Sequence, residues 1–183
     1  MISRIIGLII FIFLSPLLLL FSLIIYIDDG FPVLYKQKRI GINNSIFWLY
    51  KFRSMKNNIP DIPTHLVENP KLLYTRCGAL LRKFSIDELP QLINIINGKM
   101  VFVGPRPALH NQNDLVDLRT KVGAHMLMPG VTGWAQINGR DELSISEKVH
   151  FDQYYLKHRS WSLDSKIVFL TLLRVLGMKG ISH

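Results

Sequence analysis

Residues 5–27 form an apolar run that contains no charged side chain. No other feature constrains the fold of this chain so tightly. Wound as one helix, the run would measure about 34 Å, against a bilayer hydrocarbon core of about 30 Å. A cleaved signal sequence is a poorer account, because the stretch is too long and no small-x-small cleavage site follows it. Ser15-Pro16 falls in the middle of the run. Proline removes a backbone hydrogen bond and crowds the preceding turn, so it kinks the helix. The Ser15 hydroxyl can then satisfy a carbonyl stranded by that break. A helix broken there either crosses the bilayer or dips in and returns to the same face. Length alone favours crossing.

Charge orients the run. Between Gly30 and Pro60 stand six basic residues (Lys36, Lys38, Arg39, Lys51, Arg53, Lys56) and no acid, whereas only Arg4 precedes the run. Positive charge on the C-terminal side places residues 30–183 in the cytoplasm. The whole chain carries a net charge of +9, which favours an anionic partner such as phosphorylated substrate, anionic lipid or nucleic acid. Cys77 is the single cysteine, and the six histidines show no ligand spacing, so a Cys/His metal site is not expected.

Beyond the run, patterning predicts an α+β domain that is mostly helical. Val33-Leu34-Tyr35 and Ile46 to Tyr50 read as the arms of a hairpin turning at Gly41-Ile42-Asn43-Asn44. Asn57 to Pro70 reads as a loop, and Leu72 to Lys83 as a short helix. A helix from about Glu88 to Asn97, with Asp87 near its N-cap, keeps Pro90 in the first turn, where proline is tolerated. Val101-Phe102-Val103 suggests a short strand, and Gly104-Pro105-Arg106-Pro107 a stiff extended segment. Pro129 to Gly133 and Asn138-Gly139-Arg140 read as tight turns, and Glu142 to Lys157 as a helix. Asp164 to Met178 reads as an apolar helix, buried in the core or laid against the bilayer.

The adjacent acids Asp87 and Glu88, flanked by Arg82 and Lys83, are the strongest candidates for chemistry. Neighbouring residues on a helix point about 100° apart, so the two carboxylates can address different groups. One can attack phosphorus while the other faces a metal. Arg82, Arg106 and Arg140 are candidates to neutralise a diphosphate. The competing account makes Asp87 a helix cap, Glu88 a first-turn acid and the arginines surface charges. That account describes a non-catalytic basic module binding anionic lipid or nucleic acid.

Six motifs occur in order: Ser15-Pro16, Gln37 to Gly41, Tyr50 to Met55, Leu81-Arg82-Lys83 with Asp87 to Leu92, Val103 to Pro107, and Pro129 to Arg140. With these motifs the chain resembles the small monotopic phosphoglycosyl transferases of the bacterial sugar transferase family, which act as polyprenyl-phosphate hexose-1-phosphate transferases. The resemblance implies transfer of a phospho-sugar from a nucleoside diphosphate sugar, such as a UDP-sugar, to polyprenol (undecaprenyl) phosphate. It implies Asp87 as nucleophile and Glu88 as its partner, with Mg2+ or Mn2+ at the dyad. Arg82, Arg106 and Arg140 would contact phosphates, with Asp164, Lys51, Arg53 and Gln136 in support. It also implies that residues 1–29 form a re-entrant helix broken at Ser15-Pro16. Residues 30–183 would then form a catalytic domain whose hairpin and short amphipathic helices lie on the cytoplasmic face of the inner membrane. Membrane lipid is an expected partner, a homodimer is compatible, and nucleic acid is not expected. Gly7 and Met128 depart from the family pattern, which commonly has an acid and an arginine at those positions.

Overall fold

The computed structural model describes residues 1–56, 73–139, 142–175 and 177. Arg140, the expected loop at 57–70 and residues 176 and 178 of the expected C-terminal helix lie outside these residues. The architecture is a mostly helical α+β fold. Helix α1 spans Ile2–Asp29, and the hairpin β1 (Leu34–Ile40) and β2 (Ile46–Phe52) follows it. Then come α2 (Gly78–Lys83), α3 (Gln91–Ile96), β3 (Val101–Val103), α4 (Asn113–Lys121), β4 (Gly130–Thr132), α5 (Trp134–Ile137), α6 (Ile145–His158) and α7 (Trp161–Val175).

The hairpin forms where alternation predicts it. Leu34 pairs with Phe52 and Ile40 with Ile46 across an antiparallel ladder. Asn43 and Asn44 take the positive φ that its turn needs, a region that Asn tolerates. The pleat sends Phe47 and Leu49 inward to Leu92, Ile95 and Met100.

Helix α1 runs unbroken through Pro16. The Ile12 carbonyl, four residues before the proline, accepts the Ser15 hydroxyl at 2.7 Å in place of the missing N–H. Its apolar length is sufficient to cross a bilayer, yet it is clasped at both ends by the rest of the chain. In its first turn, Arg4 Nε donates to Ile96 O at 2.8 Å. Gly7 lets α1 approach α3 closely, since a Cβ there would lie 3.0 Å from Ile95 Cγ2. At its other end, Arg53 Nη2 donates to Asp29 O at 2.7 Å and Gly30 O at 2.9 Å, and the Cys77 N–H donates to Asp28 Oδ2 at 2.9 Å. Between these points Leu18 and Ile25 join Phe52 and Leu81 in a core cluster. The opposite side of the helix, including Ile9, Ile12, Phe13, Leu19 and Ile27, is exposed.

Four local expectations need correction. Helix α1 shows no break at Ser15-Pro16, and the helix expected over Leu72 to Lys83 begins only at Gly78, after a bridge between Met55 and Tyr74. The dyad does not open α3. Asp87 and Glu88 lie in a separate 3₁₀ turn, Ile86–Glu88, and α3 begins only at Gln91. Pro90 has no N–H to continue a helix from the dyad, so one tight turn closes and a second helix restarts after it. Pro129 to Gly133 is likewise not a simple turn. Gly130–Thr132 is strand β4, parallel to β3. Glycines allow the two backbones to approach: a Cβ on Gly104 would sit 2.3 Å from Met128 O, and one on Gly133 would sit 2.1 Å from Gly104 O. Helices α4 and α5 had no counterpart in the sequence reading. Helix α6 begins at a capping box, with Ser144 and Glu147 satisfying each other's backbone N–H groups. Helix α7 buries Ile167 on one face and exposes Trp161, Phe169 and Leu172 on the other.

Candidate active site

Three elements converge on the dyad. The 3₁₀ turn supplies Asp87 and Glu88, β2 supplies Lys51, and the segment after β3 supplies Arg106. Lys51 Nζ lies 2.9 Å from Glu88 Oε1, and Arg106 Nη1 and Nη2 approach the same oxygen at 3.3 and 3.4 Å. Glu88 is thereby held between two cations. Asp87 is 5% exposed and lies within the fields of Lys51, Arg82 and Arg106. The two neighbouring acids thus differ in environment: Glu88 is in direct ion pairs with Lys51 and Arg106, whereas Asp87 is the more deeply buried charge.

Burial pushes the Asp87 carboxyl above its ordinary value, and the Glu88 charge pushes the same way. Lys51, Arg82 and Arg106 act in the opposite direction without overcoming the desolvation. Burial lowers the Lys51 ammonium, although Glu88 and Asp87 favour its charge. Three cations face two carboxylates, so the site keeps positive character even with both acids ionised. This suits a polyanionic ligand. The charge comes from side chains rather than from a helix end, since α3 starts beyond the dyad.

Arg82, on α2, acts on Asp87 through its charge and lies over the Tyr74 ring at 5.0 Å. Asp164, on α7, accepts the Tyr155 hydroxyl at 2.7 Å, and that hydroxyl also lies 3.3 Å from Val103 O. Asp164 is therefore linked to β3 just before the Arg106 segment. Burial and the Asp164 contact suppress ionisation of the Tyr155 phenol. Gln136 is buried beside Gly133, and neither amide atom finds a hydrogen-bond partner among the described residues. Arg53 contacts the end of α1, at Asp29 and Gly30. Ser15 and Pro16 lie within α1, away from this cluster in sequence and in role.

Among the described residues no group of three His, Cys, Asp or Glu side chains is set to enclose a metal. The dyad offers two hard oxygen donors. That number suits Mg2+, which commonly takes one or two carboxylates and fills its remaining positions with water and substrate phosphate.

The sequence reading missed Arg119, Asp152 and Tyr155. One signal was available: Asp152 interrupts the apolar stripe Ile145, Val149 and Leu156 on α6, and an acid on such a face needs a buried partner. That partner is Arg119, whose Nε donates to Asp152 Oδ2 at 2.8 Å.

Known proteins of similar sequence identify the family. An uncharacterized sugar transferase of Bacillus subtilis (strain 168), EpsL, is 41% identical over 172 residues, covering 92% of this chain and 83% of that protein. The exopolysaccharide production protein ExoY of Rhizobium meliloti (strain 1021) is 37% identical over 182 residues, 91% of this chain and 80% of that protein. The UDP-glucose:undecaprenyl-phosphate glucose-1-phosphate transferase of Escherichia coli (strain K12) is 39% identical over 168 residues, 87% of this chain but 36% of that longer protein. With a match to the family's sequence pattern over residues 1–178, the chain belongs to the bacterial sugar transferase family.

Proposed function

We propose that this protein transfers a phospho-sugar from a nucleoside diphosphate sugar to polyprenol phosphate through a phospho-aspartate on Asp87. The observation that carries the proposal is the contrast within the dyad: a buried Asp87 carboxylate facing Lys51, Arg82 and Arg106, beside a Glu88 held in direct ion pairs with Lys51 and Arg106. The similarity to the Escherichia coli UDP-glucose:undecaprenyl-phosphate glucose-1-phosphate transferase supports a UDP-sugar donor.

In the first half-reaction an Asp87 oxygen attacks the β-phosphorus, the one bearing the sugar. The carboxylate–phosphorus bond forms as the bridging oxygen leaves with the nucleoside monophosphate. In the second, a phosphate oxygen of polyprenol phosphate attacks the same phosphorus and releases Asp87. The products are polyprenol diphosphate sugar and a regenerated carboxylate, so no net proton is consumed. Arg82 and Arg106 receive the diphosphate, and Lys51 holds Glu88 in place. Mg2+, held by Asp87 and Glu88, would supply charge neutralisation on the diphosphate.

The contacts of both ends of α1 with the rest of the chain support an anchor held on one face of the membrane rather than a crossing helix; α1 is continuous through Ser15-Pro16, so this reading rests on the end contacts and not on a break. A crossing helix would carry Arg4 to the opposite face, away from Ile96. The exposed side of α1 and the exposed face of α7 would meet lipid, with the catalytic domain on the cytoplasmic face of the inner membrane.

The test is to present the membrane-embedded protein with UDP-sugars and undecaprenyl phosphate and follow UMP release. Asp87→Asn should abolish both release and the covalent intermediate while the protein stays folded. UMP release at near-normal rates from that variant would overturn the mechanism.

A further inference from the structure

Arg106 sits between two prolines, and the segment that carries it is held through its carbonyl oxygens. Four consecutive carbonyls accept from four different donors. Pro105 O accepts from the Gly130 N–H at 3.0 Å, and Ala108 O from the Ile40 N–H at 3.0 Å. The two carbonyls between them are held by guanidinium groups. Arg119 Nη1 donates to Arg106 O at 2.9 Å, and Arg39 Nη1 donates to Pro107 O at 3.0 Å.

Both guanidiniums are themselves fixed. Arg119, on α4, is 8% exposed and forms an ion pair with Asp152 of α6, itself 1% exposed. Arg39, on β1, donates through Nε to Gln37 Oε1 at 2.9 Å. An ion pair buried this deeply is an expensive way to join two helices, since apolar residues of similar volume commonly do so at least as well. Here the same guanidinium also grips the backbone of the residue facing Glu88. The fork of an arginine can bind a carboxylate and a carbonyl at once, whereas a lysine's single nitrogen lacks that reach.

We propose that Arg119, anchored by Asp152, is a positioning residue for Arg106, and that Arg39 holds the same segment from the opposite side. Together they aim the Arg106 side chain at the dyad and at the diphosphate that binds there. The inference rests on the reading of Arg106 as a phosphate-binding group.

The test uses the full chain in nanodiscs, with UDP as a binding probe and single-turnover UMP release from UDP-glucose, or from whichever UDP-sugar supports UMP release, as the rate. Arg119→Lys should keep the ion pair with Asp152 and hold Tm near wild type. It should nevertheless weaken UDP binding and slow release, by up to about 10²-fold if the guanidinium of Arg106 shifts by about 1 Å. Arg39→Met should act in the same direction without touching the buried pair, which covers the case in which Arg119 variants fold poorly. In an Arg106→Ala background neither substitution should cost anything further. Full activity and UDP affinity in both variants, or losses that add to that of Arg106→Ala, would overturn the proposal. If Arg106→Ala itself left UDP affinity and release unchanged, the phosphate role of Arg106 would fail and this inference with it. Impairment by Arg106→Ala alone would sink only the positioning role.

Discussion

Asp87 places a carboxylate where folding disfavours its charge. Its raised pKa means that the folded state holds the proton more tightly than the unfolded chain does. Its contribution to stability therefore falls as pH rises from the ordinary carboxylate value through the folded one. Asp87→Asn should flatten that slope and raise Tm at neutral pH, measurable by thermal unfolding across pH. The same variant should lose on the order of 10⁴- to 10⁶-fold in turnover, the scale of removing a covalent nucleophile. Lys51 has the opposite sign. Its lowered pKa makes stability rise with pH between the folded value and the ordinary lysine value. On the proposed mechanism, attack requires Asp87 ionised and, in this arrangement, Lys51 charged. The pH profile of phospho-enzyme formation should thus be narrowed from both sides, with an acid limb above the usual carboxylate range and an alkaline limb below the usual lysine range. The dyad and Arg106 were legible in the sequence because two adjacent acids and a Pro-Arg-Pro are unusual local patterns. Arg119 was not, because an arginine on a nine-residue helix has no distinguishing local pattern until α6 brings Asp152 to it.

At the scale of elements, the contact between α1 and α3 depends on a missing side chain. A Cβ at Gly7 already reaches the limit of contact with Ile95. Gly7→Ala should be absorbed by a small shift, whereas Gly7→Leu should pry the helices apart and cost about 1–3 kcal/mol, the range for overpacking. Ile95→Ala, at a fully buried position in the same contact, should cost about 2–5 kcal/mol. Denaturant unfolding in detergent micelles would measure all three. The departure of Gly7 from the family pattern thus has a packing explanation here. The hairpin was readable because alternation and an Asn-Asn turn are local signals. Strand β4 was not, because Pro129, Gly130 and Gly133 carry turn chemistry. Here the glycines serve the close approach of two backbones, a relation between segments far apart in the chain. The 3₁₀ turn of the dyad was hidden for a related reason. Pro90 marked a boundary, and only the completed fold shows that the boundary lies after the acids.

At the scale of the whole molecule, α1 and the rest of the fold are not separable parts, since α1 residues enter two of its core clusters. If both ends of α1 stay with the domain, a tag placed before Met1 should be reachable only from the side on which the C-terminal residues are reached. Protease protection in sealed vesicles of known orientation would check this, and access from opposite sides would restore a crossing helix. High salt should fail to release the protein from membranes even though its charge is +9, because the exposed apolar side of α1 is insensitive to screening. The contribution of Leu18 and Ile25 to the same cluster as Phe52 and Leu81 bears on biogenesis. A chain deprived of its first helix would lack part of this cluster. On the proposed mechanism, completing that interior is tied to insertion of α1, so the Asp87 site would be assembled beside the lipid proposed as its acceptor.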